Sequence, residues 1–178
     1  MKTKTVIMDK KEIETTLKRL AMQITEKNKD LKNVCIVGIK SRGVPMAKFI
    51  SKFIKETENI SVETAVLDIS FYRDDLSKID DNPVVNKEKI DFDVNNKTII
   101  LVDDVLYTGK TVKTAMDVIC KNGTAESIQF CVLIDRGHHK LPIYADYTGK
   151  FVPTSKDEII KVNFKETDNE ENVKIMLR

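Results

Sequence analysis

The residues with the densest chemistry form one run, Leu101-Val102-Asp103-Asp104-Val105-Leu106-Tyr107-Thr108-Gly109-Lys110-Thr111. Gly109-Lys110-Thr111 invites a nucleoside-triphosphate reading. The P-loop pattern, however, needs a glycine where Asp104 stands, and a carboxylate there would face the phosphates it should cradle. What remains still fits a phosphate: a turn with hydroxyls and one glycine that leads into a helix N-terminus, where amide groups and the helix dipole favour an anion. Two carboxylates just ahead of the turn suit a polyhydroxyl group or a cation. Together they describe a ligand with a phosphate at one end and a ribose beside it. Three more polar clusters could do chemistry: Lys40-Ser41-Arg42-Gly43, Tyr72-Arg73-Asp74-Asp75 and Asp135-Arg136-Gly137-His138-His139.

The elements that must position these clusters are legible from periodicity. Asp9 with Glu12 reads as a capping box, and Ile13, Leu17, Leu20, Met22 and Ile24 follow at roughly helical spacing, which predicts a helix from about residue 10 to 28. Val34 to Ile39 is a continuous apolar run, followed by the 40–43 loop and a helix beginning near Pro45. Val62 to Ile69 is a second strand, opening into a polar connection over 72–89 of a length that is usually functional. Thr98 to Val102 is a third strand ending in Asp103-Asp104, with a loop through Thr111 and a helix to Lys121 closed by Asn122-Gly123. Ser127 to Ile134 is a fourth, and shorter extended pieces around 159–164 and 173–177 read as extra strands beside the core.

Continuous apolar strands alternating with amphipathic helices predict an α/β fold, a mostly parallel sheet covered by helices on both faces. Ligands of such sheets bind at the carboxyl ends of the strands, just where the polar clusters stand.

Composition sets the outer limits. The chain has 178 residues, 41% hydrophobic and 33% charged, which is the balance of one soluble domain spanning 1–178. No apolar run approaches the ~20 residues that span a bilayer, and the N-terminus lacks an apolar stretch suited to a signal peptide. No membrane partner and a cytoplasmic location are therefore expected. The net charge of +2 predicts no class of partner. Of 30 basic residues only five are arginine, namely Arg19, Arg42, Arg73, Arg136 and Arg178, so each arginine needs an explanation. Cys35, Cys120 and Cys131 form no CxxC spacing and read as core thiols rather than disulfides or metal ligands. His138 and His139, adjacent on an extended chain, point to opposite sides and read as a polar surface pair rather than a metal site with Asp135.

The 101–111 run resembles the phosphoribosyl-diphosphate (PRPP) signature of type I phosphoribosyltransferases. The flanking segments narrow the resemblance: Val37-Gly38-Ile39-Lys40-Ser41-Arg42-Gly43, Leu67 through Leu76 with Tyr72-Arg73-Asp74-Asp75, and Asp135-Arg136-Gly137-His138 with Leu141-Pro142-Ile143 and Ala145-Asp146-Tyr147. Together they are similar to the family of bifunctional pyrimidine-operon attenuation regulators and uracil phosphoribosyltransferases, the PyrR family, from Asp9 to about Lys165. That resemblance implies a type I phosphoribosyltransferase fold with a small hood beginning near 135 and C-terminal strands. It implies the reaction of PRPP with uracil to give UMP and diphosphate, with Mg2+ held mainly by the diphosphate and no dedicated metal ligands from the protein.

Within that frame Asp103 and Asp104 would hold the ribose hydroxyls and favour the cationic sugar. Tyr107, Thr108, Gly109, Lys110 and Thr111 would take the 5′-phosphate. Lys40, Ser41, Arg42 and Gly43 would take the diphosphate, where an arginine fork suits phosphate oxygens, and Arg73 would close over it as a lid on a loop near 72–89. Asp135 and Arg136 with Ile159 and Ile160 would form the base pocket. The resemblance further implies a homodimer or larger assembly and a pyrimidine-operon leader RNA as partner, with binding promoted by UMP or UTP. Lys18, Arg19, Lys27, His139 and Lys150 lie on the segments that would form the RNA face. His139 and Tyr144 stand where that family usually has arginines, and Met22 where it has histidine. The alternative is an enzyme without RNA regulation, acting on uracil or on a different base.

Overall fold

The computed structural model describes residues 2–69 and 90–178. The expected lid segment with Arg73 lies outside the described residues.

The first strand, β1 (Lys2–Met8), leads into α1 (Lys10–Lys27). The helix starts where the sequence predicts: Asp9 accepts from the Glu12 amide at 2.8 Å, and the Glu12 carboxylate accepts from the Asp9 amide at 2.8 Å. β2 (Val34–Ile39) is buried along its whole length and runs into α2 (Gly43–Glu58), which begins two residues before Pro45. β3 (Glu63–Leu67), β4 (Thr98–Leu106), α3 (Lys110–Asn122) and β5 (Ser127–Asp135) follow. β6 (Tyr147–Phe151), β7 (Glu158–Asn163), a single helical turn α4 (Lys165–Asp168) and β8 (Asn172–Leu177) complete the order.

Among the described residues, five strands form one sheet in the order β3-β2-β4-β5-β6. Every pairing in it is parallel. Alternation along the buried strands splits the core in two. Val34, Ile36, Ile100 and Val102 face α1 and α2, packing with Leu17, Ile24, Met46 and Ile50. Cys35, Val37, Ile99 and Leu101 face α3, packing with Val112, Ala115 and Ile119. Both faces of the sheet are thus covered, which is why the strands read as unbroken apolar runs.

A second, antiparallel sheet has the order β1-β8-β7. It joins the α1/α2 side of the core through Met8, Ile160, Val162, Phe164 and Val173. No helix of the described residues is long and apolar enough to cross a membrane.

Four expectations need correction. β1 has no apolar run to betray it, because it is exposed for most of its length and its partner β8 lies at the other end of the chain. β4 does not stop before the acidic pair but continues through it to Leu106, since Asp103 still pairs with Val132 and Leu106 with Asp135. β6 is a strand of the main sheet, where no strand was foreseen. Cys120 is exposed on α3, whereas Cys35 and Cys131 are buried; burial pushes both of their thiols up to about 12.

Candidate active site

The carboxyl ends of β2, β4 and β5 open at one end of the main sheet. Backbone geometry builds the first feature there. Gly109 adopts φ 85, a left-handed conformation that glycine reaches without steric cost, and it is the N-cap of α3. A cavity of about 100 Å³ sits against this turn, lined by Asp103, Tyr107, Thr108, Gly109 and Thr111 among others. The segment after β5 closes over the turn: Lys140 N donates to Thr108 O at 3.1 Å, and Leu141 and Ile143 approach Gly109. Lys110 is exposed at the start of the helix.

β4 continues through the acidic pair, and the two acids stay in contact: Asp103 Oδ1 accepts from the Asp104 amide at 3.0 Å, and a side-chain hydrogen bond links the two carboxyl groups. Asp103 is buried and lines the cavity beside the turn. Asp104 lies within electrostatic reach of Arg42: burial raises its pKa above the ordinary carboxylate value, and the Arg42 charge and the bond to Asp103 oppose that shift.

The 40–43 loop connects β2 to α2 across a cis Lys40–Ser41 peptide. Gly43 presses against β4 so closely that a Cβ there would lie 2.1 Å from the Val102 carbonyl oxygen. Ser41 is exposed. Lys40 Nζ reaches Asp68 Oδ2 at 2.8 Å, beyond the end of β3. Arg42 Nη2 donates to Asp168 Oδ1 at 2.8 Å, and its Nε is buried without a partner among the described residues. Burial pushes the Asp168 carboxyl up, but bonds from Arg42, the Thr167 hydroxyl and the Phe164 amide outweigh it and hold the group at about 2. Asp168 went unnoticed in the sequence. It lies 126 residues from Arg42, and no local spacing marks the contact.

At the end of β5, Asp135 Oδ1 accepts from Gly137 N at 2.9 Å and from His139 Nε2 at 2.9 Å. The His139 side chain is 15% exposed, so it is turned in against Asp135 rather than forming a surface pair with His138. His138 is the exposed member, and its Nε2 donates to Thr154 O at 2.6 Å.

Arg136 is buried and structurally engaged. Its Nε donates to Thr154 Oγ1 at 2.9 Å, and its Nη2 donates to the carbonyls of Ser155 at 3.1 Å and Glu158 at 2.7 Å. Its guanidinium stacks 4.2 Å from the Tyr107 ring centroid. Burial lowers its pKa, with Tyr107 and Glu158 pulling the other way. Ile159 and Ile160 cannot share a pocket wall, because neighbours on a strand face opposite ways. Ile160 belongs to the α1/α2 core and Ile159 is half-buried.

The residues expected to meet RNA lie on α1 and β6 and in the loop between β5 and β6, and α1 packs directly on β6. Arg19 donates to the Thr148 carbonyl at 3.5 Å and to the Gly149 carbonyl. Lys27 pairs with Asp146 at 2.6 Å and lies over the Tyr147 ring. Lys18 pairs with Glu14 at 2.8 Å, and Lys150 Nζ donates to the Ile7 carbonyl at 3.3 Å.

A sheet that presents an acidic strand end, a glycine turn before a helix and a basic loop at one edge defines the phosphoribosyltransferase class, and the phosphoribosyl transferase domain model matches residues 5–169. The same fold occurs in a Bacillus anthracis hypoxanthine-guanine phosphoribosyltransferase, with a TM-score of 0.74 at 20% identity over 99% of this chain and 100% of that one. A Staphylococcus aureus hypoxanthine phosphoribosyltransferase gives 0.73 at 22% identity, over 99% and 93%. Within the class, the chain belongs to the PyrR family. It is 51% identical to the bifunctional protein PyrR of Clostridioides difficile (strain 630), over 98% of this chain and 99% of that protein. It is 48% identical to that of Clostridium novyi (strain NT), over 98% of each.

Proposed function

We propose that this chain transfers the phosphoribosyl group of PRPP to uracil, releasing diphosphate and forming UMP, and that uridine nucleotide in the same site governs its binding to pyrimidine-operon leader RNA, favouring transcription termination. The observation that carries the enzymatic half is the convergence of Asp103, Asp104, the Gly109 turn and the 40–43 loop at one end of the sheet.

As the bond from the anomeric carbon to diphosphate lengthens, positive charge grows on the sugar and negative charge on the leaving group, so stabilisation is mainly electrostatic. The Gly109 turn and the first amides of α3 hold the 5′-phosphate. Asp103, beside that cradle, accepts from ribose hydroxyls, and Asp104, bonded to it, adds negative charge near the cationic sugar. Arg42 receives the diphosphate by exchanging the Asp168 carboxylate for phosphate oxygens, which a guanidinium fork can bind in pairs. Asp135, fixed by Gly137 and His139, addresses the base.

Among the described residues no group of three His, Cys, Asp or Glu side chains could hold a metal. Asp103 and Asp104 nevertheless offer oxygen donors, which fits Mg2+, an ion that keeps its waters and takes one or two carboxylates with substrate phosphates. When bound, Mg2+ supplies charge neutralisation on the departing diphosphate. The RNA half is supported by the family relationship and by the basic residues gathered where α1 meets β6.

A base panel tests the enzymatic half. With PRPP and Mg2+, uracil is consumed and hypoxanthine and guanine are not; turnover of either purine overturns the uracil assignment. Titrating a pyrimidine-operon leader stem-loop at fixed salt, with and without UMP, tests the other half. Tightening by UMP supports regulation, and equal binding to unrelated RNA leaves an enzyme alone.

A further inference from the structure

Tyr144 is 74% exposed, more than any other large apolar side chain of the described residues. A single exposed ring is ordinary; what distinguishes this one is its support. The His139 ring packs against it edge to face, with centroids 5.3 Å apart at 74°. His139 in turn is fixed by its bond to Asp135 Oδ1, and only 15% of its side chain reaches solvent. An exposed aromatic ring held from below by an anchored neighbour has already given up part of the freedom that stacking would cost.

Charge around the ring favours a polyanion. The nearest carboxylate along the chain, Asp146, is neutralised by Lys27 and also accepts from the Phe130 amide at 2.9 Å. His138 and Lys140 are exposed on the same connection between β5 and β6. Unpaired RNA bases stack on aromatic side chains in just such basic surroundings.

We propose that Tyr144 is a stacking platform for an unpaired base of the bound RNA, and that His139 couples this platform to the base pocket by touching both Tyr144 and Asp135. The proposal rests on the RNA-binding reading above and deepens it. A pyrimidine nucleotide that engages Asp135 restrains His139 and with it the ring, so nucleotide and RNA favour the same arrangement. By linkage, the factor by which UMP tightens RNA binding equals the factor by which RNA tightens UMP binding.

The test uses the full chain and a leader stem-loop, titrated with and without UMP into wild type and the variants Tyr144→Phe, Tyr144→Ala and His139→Ala. Tyr144→Phe keeps the ring and binds like wild type. Tyr144→Ala weakens binding by roughly 5- to 150-fold, the range of one lost base stack, with an unchanged slope of affinity against salt because no phosphate contact is lost. His139→Ala removes the tightening by UMP. Wild-type RNA affinity in Tyr144→Ala overturns the platform and leaves the RNA reading standing, whereas failure of wild type to bind the stem-loop overturns both. Full UMP tightening in His139→Ala overturns the coupling. A change in mass by light scattering in Tyr144→Ala makes the ring a contact between subunits and also overturns the platform.

Discussion

Arg42, at the start of α2, and Asp168, at the end of α4, meet at 2.8 Å and tie the 40–43 loop to the small antiparallel sheet. The contact satisfies one edge of the guanidinium and leaves Nε buried and unpartnered among the described residues. The arginine is held in place but not saturated, which is what the proposed exchange of Asp168 for phosphate oxygens requires.

Replacing Asp168 with Asn tests the stabilising side of this pair. Asp168 is held at about 2, below its ordinary value of 3.8. A carboxyl lowered by folding contributes stability above its unfolded pKa and loses it as pH falls through the folded one. At pH 7, Asp168→Asn should cost about 1–3 kcal/mol, the range for a hydrogen bond to a charged group. In urea melts the difference from wild type should shrink below about pH 4 and vanish only below about pH 2.

Asp103→Asn with Asp104→Asn should abolish UMP formation while the fold survives, as followed by a coupled turnover assay and circular dichroism. Retained turnover would remove the PRPP assignment. Asp104 adds a stability signature. Its pKa is raised by burial, so its ionisation opposes folding. Asp104→Asn alone should therefore melt above wild type at pH 7, and the gap should close in acid, where the carboxyl is protonated in both folded and unfolded chains.

Gly43 marks where the 40–43 loop crosses β4. A methyl group there would lie 2.1 Å from the Val102 carbonyl oxygen, so Gly43→Ala must move the loop or the strand. Forced overpacking of this kind costs about 1–3 kcal/mol. If the loop takes the diphosphate as proposed, the Michaelis constant for PRPP should rise more than that for uracil.

Arg136 stitches the end of β5 to the 154–158 connection with three hydrogen bonds. Lysine keeps the charge but loses the planar fork that meets three acceptors at once. Arg136→Lys should destabilise the chain by about 1.5–3 kcal/mol in urea, since buried carbonyls lose charged donors.

The central architecture and the anion turn were open to sequence reading. Buried parallel strands are apolar on both faces, so Val34 to Ile39 and Ser127 to Ile134 announce themselves. The capping box at Asp9 and the Thr108-Gly109-Lys110-Thr111 turn are local too, since the groups that satisfy them lie a few residues away. What only the tertiary structure decided depends on distant partners. β1 is a strand because β8 receives it. β4 runs on through Asp103 and Asp104 because β5 pairs with it as far as Leu106. Arg42 faces Asp168 from 126 residues away, and Arg136 spends its fork on the backbone of a later connection. Residue type and spacing determined which chemistry this chain could support. Packing between remote segments decided which side chains remain available for it, because a charged group brought inside takes whatever partner the fold sets beside it.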